Sequence, residues 1–239
     1  MKKLPSLICA IFLAATGAAH AAAPSILQES VSVEGFVPDG WNLEQAIKGD
    51  LNGDSKIDVA LIIRKADPAL IIKNENLGEE KFDSNPRSII VAIQQSNGQY
   101  LRVAQNDHII PVIDNGVMDD PINGVMVDET DALTIKNGVL RLHIGFWSSA
   151  GTWSMFHRTF SFRMDDGQVR LIGFDHVYVH RASGEFILCS LNYLTHRKKF
   201  QKGLISDDDI PEQWSRLDRK PQMMFGAIGD GFEFESDCD

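Results

Sequence analysis

Residues 49–63 read Gly-Asp-Leu-Asn-Gly-Asp-Ser-Lys-Ile-Asp-Val-Ala-Leu-Ile-Ile. Asp50, Asn52, Asp54 and Asp58 fall at positions 1, 3, 5 and 9 of a tight loop, and the backbone carbonyl of Lys56 stands at position 7. Clustered carboxylates repel one another unless a cation neutralises them. Calcium is the ion this spacing suits, because it takes six to eight oxygens in adaptable geometry, whereas magnesium demands stricter octahedral coordination. Ca²⁺ is therefore the expected cofactor. The loop is not an EF-hand, which needs Gly at position 6 and Glu at position 12; here those positions hold Ser55 and Leu61.

Other reactive side chains are more scattered. Asp114, Asp119, Asp120 and Asp128 share a loop-rich stretch with Gly116, Pro121 and Gly124. A glycan- or peptide-directed hydrolase would use such carboxylates if two stood about 5–9.5 Å apart. Trp147, Trp153 and Phe156 flank the small residues 148–152 and offer a possible binding surface for a glycan or protein ligand; the alternative is core aromatics at a strand corner. His176 and His180 are separated by Val-Tyr-Val, so a strand places their rings about 13 Å apart, too far for one zinc ion. No G-x-S-x-G, H-E-x-x-H, phosphate-binding glycine loop or C-x-x-C pattern occurs.

The elements that must position these groups are strands. β-branched and apolar runs cover residues 57–63, 88–93, 100–103, 108–113, 133–135, 139–147 and 185–191, with a β-like patch at 30–37. Leu140, Leu142, Ile144 and Phe146 alternate with Arg141, His143 and Gly145, the period of a half-buried strand. Phe156, Phe160, Phe162 and Met164 continue it. Asn97-Gly98, Asn137-Gly138 and Asp166-Gly167 separate such runs and are hairpin dipeptides; Gly184 fits a similar turn. Residues 43–48 and 212–218 are the best short helix candidates. The fold expected is a mainly-β single domain, an antiparallel meander or sandwich with few short helices.

Two resemblances bear on this. The loop resembles the strand–loop–strand calcium loop of FG-GAP (VCBS-like) repeats, in which D-x-[DN]-x-D-x-x-x-D runs straight into an apolar strand. That likeness covers about 15 residues and implies Asp50, Asn52, Asp54 and Asp58 as side-chain ligands. Propellers repeat the loop in several blades; here it occurs once, with only a faint echo at Asp230-Gly231-Phe232. More broadly, residues 41–200 are similar to uncharacterised exported bacterial proteins with a Gly-Asp-Leu-Asn-Gly-Asp loop before a β-rich body. The matching segments are Asn85-Pro86-Arg87, Asp119-Asp120-Pro121, residues 147–153, Arg170-Leu171-Ile172-Gly173 and Asn192-Tyr193-Leu194-Thr195. This implies a fold and a compartment, and no reaction.

The N-terminus points to export. Lys2 and Lys3 precede an apolar stretch at 7–15, and Ala19-His20-Ala21 is a cleavage signal. The stretch is too short to span a bilayer, and no later run is long and apolar enough, so no membrane span is expected. The division is a signal peptide at 1–21, a β-rich domain at 22–205 and an acidic C-terminal extension at 206–239. Cys189 and Cys238 remain after cleavage, an even pair in an oxidising space. They either bridge, tying the tail down as a strap, or leave a buried Cys189 and a loose Cys238 on a mobile tail. Formal net charge is −10, and losing Lys2 and Lys3 makes the chain more acidic, which argues against a nucleic-acid partner. The expectation is a periplasmic or secreted calcium-binding β protein with a non-enzymatic binding or envelope-associated role. A hydrolase, or an inhibitor or immunity-type partner of another protein, are the alternatives.

Overall fold

Val59, Ala60, Leu61, Ile62 and Ile63 are all fully buried, as are Ile89, Ile90, Val91 and Ala92. A strand buries consecutive residues only when both of its faces are covered, and that requirement organises the molecule. The computed structural model describes residues 23–123 and 131–238. The strands are β1 (Glu29–Ser30), β2 (Trp41–Gly49), β3 (Asp58–Lys65), β4 (Ile71–Lys73), β5 (Lys81–Asp83), β6 (Arg87–Gln94) and β7 (Tyr100–Asn106). They continue as β8 (Leu133–Lys136), β9 (Val139–Phe146), β10 (Ser154–Asp165), β11 (Gln168–His180), β12 (Glu185–Asn192), β13 (Arg197–Leu204) and β14 (Gln213–Arg216).

One sheet has the order β1-β7-β6-β3-β2, a second runs β14 to β8 as an uninterrupted meander, and β4–β5 form a small hairpin. All pairings are antiparallel. The sandwich core joins Ala60, Ile62, Ile89 and Val91 of the first sheet to Leu140, Leu142, Phe160, Phe162 and Phe174 of the second. The other face of β3 and β6 packs under the N-terminal segment, where Ile26, Val33 and Phe36 meet Leu61, Ile63 and Ile90. Hairpin chemistry sets the register: Asn137 and Gly138 (φ 54° and 71°) and Asp166 and Gly167 (φ 47° and 72°) both take the left-handed conformation that a two-residue I′ turn needs.

The mainly-β antiparallel expectation holds, with local corrections. Residues 43–48, a helix candidate by sequence, belong to β2, because pairing with β3 along that length overrides a weak local preference. Residues 212–218 likewise contribute β14 on the edge of the second sheet. Residues 108–113, expected as a strand, leave the sheet: the Asn106 side chain accepts hydrogen bonds from the amides of His108 and Ile109 at 2.8 Å and ends β7. Ile109 and Ile110 then plug the core.

The C-terminal residues are a strap across the core. Phe225, Ile228 and Phe234 are buried. Asn106 donates to the carbonyls of Phe225 and Ile228 (2.6 and 2.8 Å), and the Arg158 guanidinium donates to those of Gly231 and Phe232, each at 2.8 Å. A Cys189–Cys238 disulfide closes the strap, with a sequence separation of 49. Loop-entropy arithmetic for such a closure gives about 4 kcal/mol at most. The double variant C189S/C238S is expected to lower the unfolding free energy by up to that much, measured from urea unfolding followed by intrinsic tryptophan fluorescence.

Candidate functional site

The loop joining β2 to β3 is wound by its own side chains. Asp50 accepts hydrogen bonds from the amides of Gly53 (2.7 Å) and Ser55 (2.9 Å), Asn52 from Asp54 (3.1 Å), and Asp54 from Lys56 (2.9 Å). Gly53 and Ser55 take φ of 80° and 66°, so two left-handed residues close the turn on itself. The structure thus groups Asp50, Asn52 and Asp54 on an exposed rim. It turns Asp58 inward: that carboxylate is fully buried and accepts from the amides of Leu51 (2.8 Å) and Gln94 (2.9 Å). Burial raises the Asp58 pKa, the two amides pull it back, and the charges of Asp54 and Asp50 push it further up. The Lys56 ammonium lies 2.7 Å from Asp54 and holds that carboxyl below its ordinary range.

As a cation site, the loop offers Asp50, Asn52, Asp54 and the Lys56 carbonyl. Each carboxylate oxygen that accepts one amide keeps acceptor capacity for a second partner. Asp58 acts instead as the brace between the loop and the end of β6. Among the described residues no three His, Cys, Asp or Glu side chains form a ready metal cluster.

Among the described residues, the carboxylates of the alternative hydrolase reading sit in separate settings. Asp120 receives the Arg87 guanidinium at 2.6 Å, and Arg87 also grips Glu44 through Nε at 2.6 Å and Nη2 at 3.1 Å. Burial disfavours the Arg87 charge, but hydrogen bonds and attraction from Glu44 and Asp120 hold its pKa above the ordinary value. Arg64 joins the same network through Glu44 and Asp83. A bulge in β2 between Leu43 and Gln45 frees Glu44 for this role. Asp114 borders an open groove of about 1070 Å³ beneath the β4–β5 hairpin, which neither Asp119 nor Asp120 lines. Asp128 lies outside the described residues.

Trp147 and Trp153 do come together, through a residue the sequence did not flag. The Arg181 guanidinium stands 4.8 Å from the Trp147 ring and 5.8 Å from that of Trp153, and donates to the carbonyls of Ser148 (2.6 Å) and Thr152 (2.8 Å). The cation therefore organises the 147–153 loop, leaving Trp153 exposed at 61%. Neither tryptophan lines the groove at Asp114. His176 and His180 lie on one strand as expected; His180 contacts Ser183 at 2.9 Å, whereas the His176 ring lies edge-on to Phe156.

A second feature was also invisible beforehand. His143 and His157 stack at 5.9 Å, with the Thr159 hydroxyl 3.0 Å from His143 Nδ1 and 3.4 Å from His157 Nε2. All three residues are buried. Only the cross-strand register, which sets Thr159 opposite His143, assembles them, and no linear spacing encodes it. Burial, and then the neighbouring His143 and His176, push the His157 pKa down to about 4. An unfolded chain binds that proton near pH 6.5, so the unfolded state takes up more protons between the two values and stability falls as pH drops from about 6.5 towards 4. The full shift corresponds to about 3 kcal/mol. H157Q is expected to flatten that part of the stability–pH curve, read from urea midpoints across the range. In comparisons with known proteins, the chain matches no protein-family model, no curated protein and no solved structure.

Proposed function

We propose that this is an exported β-sandwich protein with a non-enzymatic binding or envelope-associated role, in which the loop at 50–58 takes Ca²⁺. The observation that carries the reading is the self-wound turn, in which Asp50 accepts loop amides on both carboxylate oxygens and Asn52 and Asp54 each on one, each oxygen keeping capacity for a second partner. Burial is the main cause that raises the Asp58 pKa, and calcium binding there would relieve the smaller contribution from repulsion by Asp54 and Asp50. It would also stiffen a loop packed beside the β8–β9 hairpin, where a Cβ on Gly138 would lie 3.9 Å from the Asp50 carbonyl.

Export is supported by the Cys189–Cys238 disulfide, a bond that persists in oxidising compartments. The signal peptide itself, residues 1–21, lies outside the described residues. Intact-mass measurement of protein recovered from the periplasm or medium is expected to give a chain beginning at Ala22; a retained leader in that fraction would count against export by cleavage.

Calorimetric titration of chelator-stripped protein with CaCl₂ is expected to show saturable heat, with magnesium far weaker. D54N should abolish or sharply weaken the heat while leaving the loop wound, because asparagine at 54 keeps the one oxygen that accepts the Lys56 amide; at Asp50 both oxygens accept loop amides, so asparagine there would also loosen the turn. Absence of heat from the wild-type protein at millimolar calcium ends the calcium reading.

A further inference from the structure

Alternation along the seven-stranded sheet sends Leu140, Leu142, Phe160 and Leu191 into the core and their chain neighbours to the opposite face. On that outer face the register lines up Arg141, Ser161, Gly173, Asn192, Arg197 and Arg216 as one row crossing from β9 to β14. Beside it, Arg163 and Arg170 stand directly opposite each other. On the other flank the register continues through Asp175, Ser190, Lys199 and Trp214, while Thr159, next in that row, is buried against His143.

Asp175 is the one acid in these rows, against Arg141, Arg163, Arg170, Arg197, Arg216 and Lys199, so the face is basic on balance on a chain whose formal charge is −10. Lys199 is met by Glu212 at 3.2 Å and Arg170 by Asp165 at 3.9 Å, whereas Arg141, Arg163 and Arg216 have no carboxylate partner among the described residues. Two of the cross-strand pairs, Arg163–Arg170 and Arg197–Arg216, set like charges opposite each other. Such pairs destabilise a sheet, so the face carries a folding cost that an anionic ligand would offset.

We propose that this face binds a linear acidic polysaccharide. The row spans five strand intervals, about 24 Å at the usual spacing. Its middle is lined by Ser161, Gly173 and Asn192, a low floor with hydroxyl and amide groups between arginine ends. Gly173 keeps that floor low: a Cβ there would stand 3.2 Å from the Leu191 carbonyl and 3.6 Å from Ser161. An extended chain with carboxylates or sulfates for the arginines and hydroxyls for Ser161 and Asn192 matches both chemistries. Trp214, 53% exposed and with the Arg197 guanidinium 4.4 Å from its ring, gives a sugar ring an apolar surface at one end. Single-stranded nucleic acid needs successive aromatic platforms, and these rows hold one. A bilayer needs an apolar set to insert, which they lack.

The proposal deepens the binding role above and is independent of the calcium loop, so it is tested in excess chelator. Polygalacturonate oligomers titrated into the protein should bind saturably, neutral dextran should not, and raising the salt should weaken the complex. R197E/R216E, R141Q/R163Q and W214A should each cost at least tenfold in affinity, while K73E on the distant β4–β5 hairpin leaves it unchanged. Thermal melts check that each variant is folded; the two arginine pairs are widely separated, so loss of one variant leaves the other informative. Unaltered affinity in folded arginine variants overturns the proposal. So does failure of polygalacturonate to bind, including a result in which only phosphatidylglycerol vesicles or oligothymidylate bind. Calcium heat retained alongside such a failure would leave the calcium loop standing and remove only the polysaccharide.

Discussion

The central pair β3 and β6 has no solvent face, and the rest of the molecule follows from covering it. One side requires the seven-stranded sheet, which brings Leu140, Leu142, Phe160 and Phe174 against Ile62 and Val91. The other requires the segment before β2, whose Ile26, Val33 and Phe36 cap Leu61 and Ile90. Each fully buried aliphatic side chain contributes on the order of 1.5–3 kcal/mol, so the N-terminal segment is a layer of the fold. Because β3 is fixed on both faces, the loop entering it is held at its exit end, and Asp58 is where that restraint is applied.

Asp58 shows how a residue type shared by binding and architecture is divided by burial. Its neighbours Asp50, Asn52 and Asp54 hold amides within their own turn and stay near solvent. Asp58 instead reaches across to Gln94 on β6 and back to Leu51. A buried carboxylate survives when its oxygens are satisfied, and these two amides do that. The same logic separates the other acids: Asp120 neutralises a buried arginine, whereas Asp114 and Asp119 face water.

The strap and the outer face of the large sheet are two consequences of one meander. Running seven strands in sequence leaves a broad sheet with a core side longer than the five-stranded sheet can cover. Residues from Phe225 to Cys238 cover the remainder, held by Arg158, Asn106 and the disulfide. The same regular register makes rows on the outer side, so basic residues distant in sequence become neighbours there. Charge that looks dispersed along an acidic chain is segregated in space.

By itself the sequence determined whatever depends on a residue's immediate neighbours. Period-two alternation marked β9 and β10, Asn-Gly and Asp-Gly marked their turns, and the run at 57–63 marked a strand, though it did not say that both faces are buried. The acidic loop was legible because the side chains of Asp50, Asn52 and Asp54 accept their hydrogen bonds from amides within five positions. Tertiary structure decided everything that needs a partner far along the chain. Residues 43–48 are a strand because β3 lies beside them, and Asp58 faces inward because Gln94 is there. Arg181 meets Trp147, and His143 meets Thr159 and His157, only once the sheet register exists. Local conformational preference amounts to a few tenths of a kcal/mol per residue up to about 1. Burial and cross-strand pairing outweigh it, and their partners are not written nearby.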